Sequence, residues 1–92
     1  MIQSFRCRNT AALFAGAPPP AFRAFERVAC RKLAMLDAAH ALRDLAAPPG
    51  NMLEALSGDR RHQYCIRINQ RWRLCFEWTE KGPAQVEIVD YH

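Results

Sequence analysis

The residues best suited to act on a phosphodiester lie in the second half of the chain: Arg67, Arg73 and the closing run Asp90-Tyr91-His92. Attack by a ribose 2′-hydroxyl on its own phosphate needs a base for that hydroxyl, an acid for the departing 5′-oxygen, and cations around the phosphorane. Histidine suits proton transfer near neutral pH, and a carboxylate can orient or assist it. Arginine offers a planar fork that meets phosphate with two hydrogen bonds, which lysine does not. Eleven of the thirteen basic residues are Arg; only Lys32 and Lys81 are Lys. Five of them, Arg60, Arg61, Arg67, Arg71 and Arg73, fall between Arg60 and Phe76 with no acid among them. That stretch carries +5 against +4 for the whole chain, so the remainder sums to −1. One local basic surface points to a polyanion, most naturally RNA or DNA. A solvated basic face, or a site for an acidic protein, is the plainer alternative.

Composition narrows the class. Ninety-two residues make one domain, and half of them are apolar, with Trp72, Trp78 and five Phe to fill a core. Cys7, Cys30, Cys65 and Cys75 are scattered, with no CxxC pair and no Cys/His group at zinc spacing, so neither a metal nor another cofactor is expected. No basic segment followed by an apolar run opens the chain, and no apolar stretch approaches the roughly 20 residues that cross a bilayer. The expectation is a cytoplasmic protein with reduced thiols and no membrane partner.

These residues need elements to hold them. Ile2 to Cys7 reads as a first strand, and Asn9 as the cap of a short helix from Thr10 to Ala15 that Gly16 ends. Pro18-Pro19-Pro20 leads into a main helix over Ala21 to Ala39, with helical character continuing to Leu45. Phe22, Phe25, Ala29, Leu33 and Leu36 give it one apolar face, while Arg23, Arg27 and Arg31 form a stripe elsewhere, read mainly as solvated. After Pro48-Pro49-Gly50 come short strands: Met52 to Ser57, Gln63 to Asn69, Trp72 to Trp78, and Ala84 to Tyr91. Helices first and an antiparallel meander after imply an α+β domain spanning residues 1–92, its N-terminal strand and helices covering one face of a mostly antiparallel sheet.

Strand parity then decides which side chains meet. The apolar residues of the last three strands sit at even positions, so paired positions must sum to an even number. A loop of Asn69-Gln70-Arg71 pairs Ile68 with Trp72 and Ile66 with Leu74, which sets Arg67 opposite Arg73 on the face away from the helices. Like charges directly opposite are unfavourable, and two guanidinium forks a few ångströms apart would make a phosphate clamp, unless they splay apart into solvent. Cys65 faces Cys75 in the same register, expected as two free thiols. Pairing Phe76 with Val86 and Leu74 with Ile88 brings Tyr91 opposite Arg71. Asp90 and His92 then point opposite to Tyr91, so the chain end must bend for all three to converge.

The segments Met1-Ile2-Gln3-Ser4-Phe5, Lys32 to Ala39, Leu56-Ser57-Gly58-Asp59-Arg60 and Ile66-Arg67-Ile68-Asn69 resemble those of the HigB toxins of the RelE superfamily. So, most specifically, do Trp72-Arg73-Leu74-Cys75-Phe76 and Val86 to His92, which look most like the family's GraT branch. The resemblance covers essentially the whole chain. It implies a RelE-like fold and metal-independent, ribosome-dependent cleavage of mRNA. It also implies a helix-turn-helix antitoxin of the HigA or GraA kind, whose complex with the toxin binds operator DNA. Arg73 matches the family's phosphate-stabilising arginine, and Asp90, Tyr91 and His92 its catalytic segment. Arg60, Arg61, Arg67 and Arg71 are then expected to bind RNA. Familiar HigB members carry a histidine and a lysine on the strand before Gly-Asp-Arg, where this chain has Glu54 and Ser57; Glu54 is an alternative base. His62 reads as an RNA or solvent contact and His40 as structural. The competing reading is a non-catalytic protein that keeps the fold and acts with its antitoxin as a co-repressor.

Overall fold

The computed structural model describes residues 1–90; Tyr91 and His92 lie outside the described residues. Its elements are α1 (Arg8–Phe14), a 3-10 turn (Pro20–Phe25), α2 (Glu26–Ala38), α3 (Arg43–Ala46), a second 3-10 turn (Pro49–Asn51), β1 (Glu54–Ala55), a third (Gly58–Arg60), β2 (Gln63–Arg67), β3 (Trp72–Thr79) and β4 (Gly82–Asp90). The strands form one antiparallel sheet in the order β1-β2-β3-β4. The helices cover one of its faces, as the α+β expectation required.

The main helix forms in two pieces. Phe25 leaves helical geometry at φ −126° and ψ 19°, dividing the 3-10 turn from α2. In a 3-10 turn residues three apart eclipse, so Phe22 and Phe25 project side by side onto Trp72, at ring distances of 5.9 and 4.8 Å. Ala29, Leu33 and Leu36 continue that stripe and, with Leu13, pack against Ile66, Leu74, Phe76, Val86 and Ile88. The helix does not run on to Leu45. Ala39 turns extended (ψ 134°), and the Asp44 carboxylate accepts the backbone N–H groups of His40 and Ala41 at 3.0 and 3.1 Å. An aspartate that offers backbone donors a local acceptor competes with helix continuation. His40 itself is exposed.

At the other end, Asn9 is not the cap. Helix α1 starts at Arg8 after Cys7, without a side-chain cap, and Asn9 lies in its first turn. Its C-terminus closes as expected on Gly16 at φ +93°: Gly16 N bonds to Leu13 O at 3.1 Å and Ala17 N to Ala12 O at 2.9 Å, the double bond of a Schellman closure.

The expected first strand narrows to one parallel bridge, Phe5 with Val86. Residues 3 to 6 run along the outer edge of β4, with Gln3 N to Pro83 O at 2.8 Å, Val86 N to Ser4 O at 3.1 Å and Arg6 N to Val86 O at 3.0 Å. The Ile2 amide is held by Asp37 Oδ1 at 2.8 Å. Thr10, wholly buried, accepts Ile88 N on its hydroxyl at 3.0 Å. The edge that would otherwise offer free donors to another chain is thereby covered. The same segment explains a departure from the expected β3–β4 register. Leu74 pairs with Ile88, as expected, but Glu77 pairs with Ala84, so a bulge sets Gln85 and Val86 against Phe76. Gln85 sits at φ +53° and gives its N–H to Ser4 Oγ at 2.9 Å instead of to the ladder.

Between α2 and the sheet, a buried polar knot anchors the strand that carries Glu54. Asn51, fully buried, donates to Leu45 O at 2.9 Å and Met35 Sδ at 3.1 Å and accepts the Lys32 ammonium. Burial, and then the neighbouring Arg31, lowers the Lys32 pKa below its ordinary value. Among the described residues no buried side-chain nitrogen or oxygen lacks a partner. Asn51→Ala would strand the Leu45 carbonyl and the Lys32 ammonium, and an unsatisfied buried polar group costs about 1–3 kcal/mol, more when charged. Urea denaturation should show a lower midpoint at unchanged slope.

The Asp44 bonds generate a pH dependence. They hold its carboxyl below the usual carboxylate value, the His40 amide being the larger cause and the Ala41 amide the next. A depressed folded-state pKa contributes stability that is complete above the unfolded value near 3.8 and fades as pH falls through the lowered one. Asp44→Asn should therefore melt earlier than the wild type at pH 7, and the difference should shrink in melts taken progressively below pH 4.

Candidate functional site on the outer sheet face

The β2–β3 hairpin forms in the expected register. Cys65 pairs with Cys75, Ile66 with Leu74 and Arg67 with Arg73. Ile68 N bonds to Trp72 O at 3.0 Å, and pairs alternate along an antiparallel ladder. Arg67–Arg73 and Cys65–Cys75 are consequently the non-hydrogen-bonded pairs, with Cα atoms about 4.5 Å apart and side chains at their closest. Continuing across the sheet, Arg73 faces Val89, Cys75 faces Glu87, and Glu54 on β1 faces Cys65. The outer face thus has one row of Arg67, Arg73 and Val89, and beside it a row of Glu54, Cys65, Cys75 and Glu87.

The two arginines are brought together at the backbone, yet their guanidinium groups engage different partners. Arg67 Nη1 lies 3.4 Å from Met52 Sδ, toward the β1 edge. Arg73 Nη1 donates to the carbonyls of Asn69, closely, and of Trp72 at 3.2 Å, toward the β2–β3 loop. Like charges directly opposite are unfavourable, and each guanidinium has neutral partners of its own within the protein.

Two of the arginines expected to bind RNA are occupied within the chain. Arg60 Nη1 bonds to Glu87 Oε1 and Gln63 Oε1, both at 2.9 Å, with Arg6 adding a longer ion pair to Glu87 at 3.9 Å. Arg71 grips Asp90 with three bonds: Nε to Oδ1 at 2.8 Å and to Oδ2 at 2.9 Å, and Nη2 to Oδ2 at 2.6 Å. The Asp90 carboxylate raises the Arg71 pKa, and the Arg71 guanidinium also lies 5.8 Å from the Trp72 ring centre. Arg61 and His62 are exposed, as a contact role needs. The sequence signal for Arg60 and Arg71 was their charge; what it lacked was the location of Glu87 and Asp90.

Asp90 pairs with Trp72, whose ring packs under the helices. It therefore belongs to the opposite face from Arg67 and Arg73, as parity predicted, and reaches the site only around the end of the sheet. Tyr91, expected opposite Arg71, and His92 lie outside the described residues. Glu54, by contrast, is exposed and shares the outer face with the arginines, its Oε1 3.7 Å from Cys65 Sγ.

Cys65 and Cys75 are free thiols, each only 1% exposed, so the outer face is not simply solvated. The hydrogen bond with Cys75, and then burial, pushes the Cys65 thiol above its ordinary value. It is protonated at neutral pH and unsuited to nucleophilic chemistry. Among the described residues no group of three or more His, Cys, Asp or Glu is arranged to hold a metal ion. No helix there is long and apolar enough to cross a membrane.

Known proteins share this arrangement of sequence. Residues 21–92 match the family described as the RelE-like toxin of the type II toxin-antitoxin system HigB. The N-terminal segment and α1, at residues 1–20, lie outside that match. Toxin HigB-1 of Vibrio cholerae is 43% identical over 67 residues, covering 73% of this chain and 70% of that protein. An uncharacterized protein of Haemophilus influenzae is 38% identical over 66 residues, 72% of this chain and 64% of its own length. The helices, the four-stranded meander and these matches together place the chain in the HigB family of RelE-like toxins from type II toxin-antitoxin systems.

Proposed function

We propose that this toxin arrests growth by cutting mRNA on the ribosome, through metal-independent attack of a ribose 2′-hydroxyl on its neighbouring phosphate. The observation that carries this reading is the Arg67–Arg73 pair, set in register on an outward sheet face at the end of the sheet where β4 leads into Tyr91-His92. Arg73 holds the scissile phosphate and the charge that develops on it, with Arg67 alongside. His92 and Asp90 share proton transfer, from the 2′-hydroxyl and to the departing 5′-oxygen, and Tyr91 stacks on or positions a base. Arg61 and His62 contact the RNA backbone nearby. A helix-turn-helix antitoxin restrains the activity in the cytoplasm, and the toxin–antitoxin complex binds operator DNA.

A second reading has its own support. Glu54 and Ser57 stand where familiar members carry a histidine and a lysine, and Arg60 and Arg71 are tied up internally. A weakly active or inactive chain that acts as co-repressor would tolerate both.

Cleavage separates the two readings. In single-turnover reactions on programmed ribosomes, Arg73→Ala should lose roughly 10²–10³-fold and deletion of His92 about 10²–10⁴-fold. Both variants should melt near the wild-type temperature. Glu54→Ala should lose much less. If Glu54→Ala abolishes cleavage while the His92 deletion spares it, the proton carrier is Glu54, on the same face as the arginines. A wild type that cuts no mRNA on any programmed codon leaves the co-repressor reading standing.

The restraint is tested separately. Expressed with each gene that flanks its own, the chain should co-purify with one product, and growth should recover. Failure of both neighbours to bind or rescue would remove the antitoxin from the account.

A further inference from the structure

The loop between β2 and β3 touches both halves of the proposed site. Asn69 Oδ1 accepts the backbone N–H groups of Arg71 at 2.9 Å and Trp72 at 2.8 Å, which shapes the turn from within. With its backbone so set, Asn69 presents its carbonyl to the Arg73 guanidinium. Two residues on, Arg71 takes both oxygens of Asp90, the last described residue of β4. One short turn thus holds the head of Arg73 through a carbonyl and the carboxylate of Asp90 through a guanidinium.

We propose that Asn69 and Arg71 are positioning residues for the cleavage reaction, forming a template that sets the spacing between Arg73 and Asp90. This inference rests on the RNA-cleavage reading above. It assigns Arg71 a role different from the RNA contact that its charge suggested. The bidentate geometry is what makes the assignment: a guanidinium fork closed on a carboxylate has spent its most directional donors inside the protein. A solvent-exposed ion pair is weak as a source of stability, so the consequence of losing it falls on placement more than on folding. Misplacing a reacting group by about 1 Å can cost on the order of 10²-fold in rate.

The two roles differ in what they change. A positioning residue alters the rate of the bound complex. An RNA contact alters affinity and its dependence on salt, where each phosphate contact to a single strand contributes about 0.7 to the log–log slope. Asn69→Ala, Asn69→Asp, Arg71→Ala and the wild type should be compared by ribosome affinity at several salt concentrations and by single-turnover cleavage at saturation. Asn69→Ala and Arg71→Ala are expected to lose roughly 10- to 100-fold in the saturated rate, with affinity and salt slope unchanged. Asn69→Asp keeps the acceptor oxygen and should recover most of the rate. It also serves as the deciding variant, with Asn69→Ser, should the alanine form melt below assay temperature. The proposal is overturned if Arg71→Ala keeps its saturated rate but binds more weakly with a shallower salt slope, because Arg71 is then an RNA contact. It is equally overturned if Asn69→Ala cleaves as fast as the wild type, or if Asn69→Asp and Asn69→Ser both fall as far below the wild type as Arg71→Ala. A wild type that does not cleave at all would instead strike the functional reading beneath it.

Discussion

Everything on the functional side of this molecule follows from the register of one hairpin. The turn at Asn69-Gln70-Arg71 makes paired positions of β2 and β3 sum to an even number. Ile66 and Leu74 are thereby sent into the core while Cys65, Cys75, Arg67 and Arg73 line the outer face. A slip by one residue would exchange the two sets, burying two guanidinium groups under the helices and exposing Ile66, Leu74 and Phe76. The cost of burying unpaired charge makes that alternative untenable. The unfavourable juxtaposition of Arg67 and Arg73 is thus held in place by the hydrophobic core on the other side of the same strands.

The remaining elements keep that hairpin where it is. On one side β4 pairs with β3, and its own free edge is closed by residues 3 to 6, by Thr10 and by the bulge at Gln85. On the other side β1 is only two residues long and exposed, and it depends on the polar knot of Lys32, Asn51 and Leu45 beneath it. Met52, at φ +48°, turns the chain between the knot and the strand and brings its sulfur beside Arg67. Backbone strain at a non-glycine residue persists where surrounding contacts over-determine it, and here the knot on one side and the ladder on the other do so.

Electrostatics divides the basic segment into two populations. Arg60 and Arg71 spend their charge on Glu87 and Asp90, tying the turn before β2 and the turn after it to β4. Both acids come from the one strand that ends at the site. With the Glu87 and Asp90 carboxylates counted against it, the +5 of the segment falls to +3. The same ion pairs couple the basic turns to the strand end that carries Asp90.

Much of this was legible in the chain before any fold was known. Periodicity located the helix face of Phe22, Phe25, Ala29, Leu33 and Leu36, and parity with a three-residue loop paired Arg67 with Arg73 and Cys65 with Cys75, because a period of two leaves a buried strand no choice of face. Parity also warned that Asp90 points away from the arginine face. Three things were decided only by tertiary contacts. The main helix is broken at Phe25 and stopped at Ala39 because Trp72 and Asp44, both distant or out of pattern, offer the better partners. The β3–β4 register shifts at Gln85 because an N-terminal segment some eighty residues away in sequence takes its amide. And Arg60 and Arg71 are tied to Glu87 and Asp90, acids that lie within reach only once the sheet has formed. Periodicity and parity are local properties of a chain and can be read from it; which charge neutralises which is a matter of distance across the fold, and no spacing in the sequence encodes it.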